Sequence, residues 1–363
     1  MVAGIEKFMD ENGNSRDAMA YVYGVERWHG LGNLVNDCND SGEVLEKGGL
    51  KEWDLVKVPL GFPAEPHLWE IENDPKAVPK GFACNHVPGM WAIFRKKDRK
   101  MISTYSVRDE YHIIQNEEIF RVLDQFPDLQ YHTAGSLNDG KRVFVLCTFK
   151  NGLSEGAQIR PDDKDSKVMP FLLAHTSHAG EGSLVFDLTL TEVVCWNTLM
   201  AAEASAWAPI RIMHRKNAEE RMEGAVEALS KIKDLFSDTT KTYQEWAQQR
   251  CTMDEWKLIL RGSLGIHLEK EEEIIPPITK RRMNRLTDLF TDGRGRRGET
   301  MWDAYGAFTE YTTRFRGGEG LLRSNPSEAI WFGSSRDMER NAVREIKRTV
   351  KNRDKDIKIA VSN

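Results

Sequence analysis

His175 and His178, three residues apart, are the closest approach in this sequence to a metal or catalytic motif, with Cys195, His214 and Ser177 as the residues that would have to join them. Zinc requires three or four converging nitrogen or sulfur ligands. On a strand running into a loop, two histidines at this spacing point to opposite sides. A polar turn with satisfied imidazoles is therefore the expected reading, and no metal and no cofactor is expected. A nucleophile built from Cys195 or Ser177 with His178 or His214 lacks the glycine-flanked serine elbow and every protease signature. Cys195 lies in the apolar run Val193-Val194-Cys195-Trp196, the setting of a buried, inert thiol. Asn197-Thr198 is read as ending that strand and capping a following helix. No catalytic residue is assigned.

A second chemistry is phosphate binding by guanidinium groups. The segment Gly293-Arg294-Gly295-Arg296-Arg297-Gly298 is dense in glycine and arginine but follows a helix rather than a strand, so it is no Walker loop. Three guanidiniums on a mobile loop can still grip phosphates, and Arg281, Arg282 and Arg285 recur at helical spacing just before them. Lys141 and Arg142 add a basic hairpin end. Trp28-His29, hinged by Gly30 and Gly32, offers an aromatic and an imidazole on which a base can stack, although such a tryptophan more often anchors a loop to the core.

These residues must be positioned by two kinds of element. Six prolines between 52 and 88 favour short strands and ordered loops. Residues 91–94 and 101–107 read as strands around the charged turn 95–100. Residues 116–126 read as an amphipathic helix capped by Asn116. The segments 131–137 and 141–149, joined by Asn138-Asp139-Gly140, carry the best hairpin signal, and 168–176 with 183–195 form a second pair. Beyond Asn197 the periodicity turns helical: 199–207, a 3.6-residue stripe from Ala218 to Phe236, a Thr252/Glu255 capping box with a stop at Gly265, 279–290, 299–316, and a last helix from about 325 to 347. The expected fold is α+β, with an N-terminal segment over 1–50, a mixed, mainly antiparallel β-meander domain over 51–200, and a helical, more basic region over 201–363.

The chain has 363 residues with a net charge of −5, but the charge is uneven. Residues 1–210 carry 21 basic and 31 acidic side chains; residues 211–363 carry 30 and 25. A basic helical half suits a polyanion partner as well as a solvated surface. Five scattered cysteines without a CxxC pair, no long apolar run and an acidic N-terminus predict reduced thiols, no membrane span and a cytoplasmic protein.

Seven ordered blocks carry a family resemblance: 27–32 (RWHGLG), 135–144, 175–180, 194–199 (VCWNTL), 210–214, 302–311 and 329–333. Together they resemble the phage/plasmid-like protein family of uncharacterised function. Where that family has Ser-His-Asp-Gly-Ser, this chain has Ser177-His178-Ala179-Gly180, which removes the carboxylate beside His178. The resemblance implies a phage or plasmid context, and hence the cytoplasm of a host cell. By fold-level analogy with phage single-strand annealing proteins, the expected function is single-stranded DNA or RNA binding by a homo-oligomer, without catalysis. The expected nucleic-acid residues are Lys141, Arg142, Arg281, Arg282, Arg285, Arg294, Arg296 and Arg297. The family-motif or stacking site is expected at Trp28, His29, His175, His178, Asn197 and His214. The alternatives are an enzyme acting on a nucleotide or nucleic acid through those histidines, and a structural or host-interaction protein.

Overall fold

The computed structural model describes residues 6–10, 12–22, 32–63, 84–150, 155–164, 166–192, 197–200, 209–266, 275–315 and 334–362. The RWHG run with Trp28 and His29 lies outside them, as do the side chains of Cys84, Cys195 and Asn197. The architecture is α+β: mostly antiparallel sheets, with helices concentrated in the C-terminal half.

The N-terminal part contributes β1 (Lys7–Met9), β2 (Ser15–Asp17), β3 (Met19–Val22), β4 (Asn33–Val35) and α1 (Ser41–Lys47). A small sheet follows from β5 (Leu55–Pro63), β6 (Cys84–Arg95) and β7 (Lys100–Met101), and then α2 (Asn116–Leu123). The main sheet is filled by β8 (Leu129–Leu137), β9 (Arg142–Phe149), β10 (Ala157–Gln158), β11 (Lys167–Ser177), β12 (Ser183–Glu192), β13 (Asn197–Met200) and β14 (Ile210–Met213). Its order is β13-β12-β11-β9-β8-β3-β4, antiparallel except for the parallel β3–β4 pair. Strands β13 and β14 lie on the same edge of β12, opposite Thr189–Glu192 and Ser183–Phe186 respectively.

Alternation explains the sheet: β11 sends apolar and small polar side chains to both faces and is buried along almost its whole length, as a strand covered on two sides must be. The turn between β8 and β9 holds Asn138, Asp139 and Gly140 all at positive φ, the conformation that Asn, Asp and Gly tolerate. The predicted hairpin is therefore present.

The helical half comprises α3 (Ala218–Leu229), α4 (Ile232–Gln248), α5 (Met253–Ser263), α6 (Pro277–Asp292), α7 (Met301–Glu310, prolonged by a π-helical turn Tyr311–Phe315) and α8 (Ser334–Ser362). All ten residues of α7 are buried, and α4, α6 and α8 pack around it. Trp256 stacks on Phe290 at 4.6 Å, and Tyr243 lies 5.0 Å from Trp302. One continuous apolar core joins sheet and helices, from Ala20 to Ile346.

Several expectations need correction. Asn197-Thr198 begins strand β13 and does not cap a helix; of the expected helix 199–207, residues 199–200 are strand and the rest lies outside the described residues. The stripe from Ala218 to Phe236 is two helices, broken where the Ser230 hydroxyl donates to the Glu227 carbonyl and competes with the helix ladder. At α2, Glu118 rather than Asn116 closes the first turn, accepting from the Gln115 N–H at 2.6 Å. Of the expected strand 101–107 only Met101 lies in a strand, β7, because the N–H groups of Thr104 and Tyr105 turn aside to the Ala179 carbonyl. The Thr252/Glu255 box and the Gly265 stop, at φ +68°, are where they were expected.

Candidate functional site

Strand β11 and the loop after it deliver His175, Thr176, Ser177 and His178 into the interior. His175, His178 and His214 are 7%, 1% and 5% exposed. The ring of His178 is held by Asn116. Because the Asn116 amide donates from Nδ2 to the Leu50 carbonyl at 2.9 Å, its oxygen faces His178 and accepts from Nε2–H at 3.0 Å. Nδ1 of His178 is then the unprotonated nitrogen, and it is buried without a partner.

His214, just after β14, takes the opposite tautomer. Its Nδ1–H donates to the His112 carbonyl at 3.1 Å, so Nε2 accepts from the Thr176 hydroxyl at 3.2 Å. Its ring stacks on Tyr111 at 4.8 Å. Burial pushes His178 down to about 3, with the charges of His214 and Arg95 adding to the effect, and burial pushes His214 down to about 4. Both rings are neutral at pH 7. They form a buried polar layer beneath the surface.

That layer continues through Trp53, whose ring is 5.8 Å from His178 and 4.3 Å from the Arg95 guanidinium. Arg95, from the basic turn 95–100, is itself buried. It makes a two-pronged ion pair with Glu6 at 2.6 and 3.1 Å and a second pair with Asp98. Burial works to raise the Glu6 carboxyl, but Arg95 and Lys100 outweigh it and hold the group below its ordinary range.

The Gly/Arg loop is not the mobile phosphate grip expected. Arg296 is 8% exposed, with its guanidinium in the space that the missing side chain of Gly306 leaves open; a Cβ there would sit 1.9 Å from its central carbon. Arg297 pairs with Asp162 at 2.7 Å and Asp163 at 3.6 Å. Arg160 pairs with the fully buried Asp303 and donates to the Gly295 carbonyl at 2.7 Å. The other Asp303 oxygen accepts from the N–H groups of Glu299 and Thr300, closing the first turn of α7. The loop thus clamps the segment after β10 to α7. Arg285 is half-buried with its guanidinium 4.0 Å over the Phe315 ring.

Of the expected cations, Arg281, Arg294 and the ion-paired Arg297 are exposed and Arg282 is half-buried. Lys141 and Arg142, also half-buried, belong to the β8–β9 hairpin, where the Lys141 carbonyl receives the His178 N–H at 2.7 Å. The hairpin belongs to the main sheet, whereas α6 packs on α7, so the expected cations are carried by two separate parts of the fold.

A further cationic surface lies on one helix. On α8, Arg340, Arg344, Lys347, Arg348 and Lys351 are all exposed, and at 100° per residue they fall within an arc of about 100°. Met338, Ala342, Val343 and Ile346 occupy the buried side. The stripe is about 16 Å long at 1.5 Å per residue. Arg344 and Arg348 lie 3.6 and 3.2 Å from the carboxylate of Glu345, which is 8% exposed, while Arg340 and Asp337, 3.9 Å apart and both exposed, form a surface pair worth under about 1 kcal/mol. A groove of about 500 Å³ between α5 and α8 runs beside it, with Arg348, Asn352 and Arg353 on its wall. The cations at 340, 344, 347, 348 and 351 repeat at helical spacing in the sequence, and that signal was available there.

Residues 104–357 match the sequence family described as Domain of unknown function (DUF932). The chain belongs to the DUF932 family. No curated protein and no solved structure matches it. The DUF932 segment contains the histidine layer, the Arg160–Asp303 clamp and the cationic face of α8, and starts beyond the β5–β7 sheet. No helix among the described residues is long and apolar enough to cross a membrane.

Proposed function

We propose that this DUF932 protein binds single-stranded nucleic acid in phage or plasmid DNA metabolism, with the exposed face of α8 as its phosphate track. One observation carries the reading: five cationic side chains share one solvent-facing arc of α8 while the opposite arc is buried. Such a surface neutralises a backbone without touching base edges, which leaves the bases free to pair with a second strand. The competing enzyme reading has less support, because three of its four histidines, His175, His178 and His214, are 1–7% exposed and offer a nucleotide no approach, the fourth, His29, lying outside the described residues.

The test is titration of labelled single-stranded DNA at several salt concentrations. Affinity should fall with salt at a slope of about −0.7 per phosphate neutralised. Arg340→Ala, Arg344→Ala and Arg348→Ala combined should flatten that slope by about two and weaken mixed and homopolymer strands equally. Absence of binding at about 50 mM salt refutes the function, and a triple variant that binds as wild type refutes the assignment to α8.

A further inference from the structure

His112, Glu118 and Glu219 come from three separate stretches of chain: the extended segment before α2, the first turn of α2, and the first turn of α3. One ligand atom from each lies within 4.8 Å of the other two. Three atoms no more than 4.8 Å apart always have a point within about 2.8 Å of all of them, so side-chain shifts of about 1 Å bring all three to the 2.0–2.2 Å of metal–nitrogen and metal–oxygen bonds.

The bland reading is that two acidic residues occupy helix N-terminal turns, where carboxylates are favoured anyway, and a histidine is nearby. Two observations argue against it. Nε2 of His112 is shielded from solvent yet has no hydrogen-bond partner, although two carboxylates are close by. An imidazole N–H placed for direct contact would donate to one of them, and among the described residues His112 makes no hydrogen bond or ion pair to either glutamate. The separation is too long for a direct bond and right for one bridged by a cation.

The surroundings also hold the groups in place. Glu118 is oriented by the Gln115 N–H at 2.6 Å, an outer hydrogen bond of the kind that fixes ligating carboxylates. The His112 backbone exchanges two hydrogen bonds with His214, whose carbonyl accepts the His112 N–H at 3.2 Å.

We propose that His112, Glu118 and Glu219 bind one divalent first-row transition-metal ion of the manganese, iron or zinc class. An imidazole with two carboxylates suits these ions rather than calcium or magnesium, which prefer oxygen alone. Three protein ligands leave positions for water, and the exposure of Glu219 opens them to solvent; this is the open arrangement of reactive sites rather than the closed four-ligand cage of structural ones. The proposal involves no nucleic acid, so it stands or falls separately from the binding function above.

Manganese is the probe, because it ignores the free thiols that zinc would also occupy. Tag-free full-length protein, dialysed against chelator, is titrated with Mn²⁺ and the free ion followed by electron paramagnetic resonance. One ion per chain is expected, displaced by Zn²⁺ in excess over the thiols. Glu219→Gln, an exposed change that preserves shape, should weaken binding tenfold or more, as should His112→Gln. Should His112→Gln fail to fold, Glu219→Gln alone decides. No bound manganese in the wild type, or binding of equal strength in Glu219→Gln, overturns the site.

Discussion

Gly140 closes the β8–β9 hairpin at φ +84°, and a Cβ at that position would lie 2.7 Å from an Arg95 nitrogen, 3.0 Å from a Glu6 oxygen and 3.2 Å from the Trp53 ring. A side chain there would be strained by its backbone and would push apart a buried ion pair. Gly140→Val should therefore cost about 2–4 kcal/mol in chemical denaturation, combining left-handed strain with the disturbed pair. Gly13, at φ +76° with nothing within 4 Å of its virtual Cβ, isolates the first cost, and Gly13→Ala should lose only about 1 kcal/mol. Equal losses in the two variants would show that the Arg95–Glu6 pair is indifferent to the turn.

Between elements, the decisive contact is the clamp from the segment after β10 to the first turn of α7. Asp303 is fully buried and accepts from Arg160 and from three groups of the capping turn. Removing its charge leaves the Arg160 guanidinium buried and unpaired, so Asp303→Asn should destabilise by about 3–5 kcal/mol. Arg297→Ala removes a pair whose side chains are 43% and 66% exposed, and should cost less than about 1 kcal/mol. Urea melts of the two variants check this ranking. A small effect for Asp303→Asn would mean that sheet and helices hold together without the clamp.

Acid sensitivity belongs to the entire fold, because its cause is burial in the common core. His178 and His132 are pushed down by burial to about 3 and about 4, from an ordinary value of 6.5. Between pH 6.5 and 4 the unfolded chain takes up protons that the folded chain refuses. Stability is thus fully present above 6.5 and is lost as the pH falls, by up to about 1.4 kcal/mol per pH unit for each group. Carboxylates add to the loss only below about pH 5. The urea midpoint should fall from pH 7 to pH 5, and His178→Gln should flatten that fall. A midpoint that does not move over this range would place the rings in contact with solvent.

Periodicity and turn chemistry are local, and what depended on them was legible: the positive-φ turn at 138–140, the Thr252/Glu255 box, the stop at Gly265 and the helical second half. A Gly-rich turn or a capping box is set by residues within four positions of one another. Whether a cation is free to hold a phosphate depends instead on what arrives from a distance. Nothing within 293–298 announces that Gly306 leaves room for Arg296, or that Asp162 and Asp163 take Arg297 from 135 residues away. Likewise Asn116 has the spacing of a cap, yet it turns inward because His178 needs an acceptor there. His112, Glu118 and Glu219 have no motif spacing, since three different segments carry them. Sequence alone determined the α+β class, the tight turns and the helical second half, because those follow from short-range backbone preference and hydrophobic period; only the tertiary structure decided that residues 197–200 pair as strand and which charged and titratable groups are neutralised, buried or left to bind, because those partners are chosen by packing across the fold.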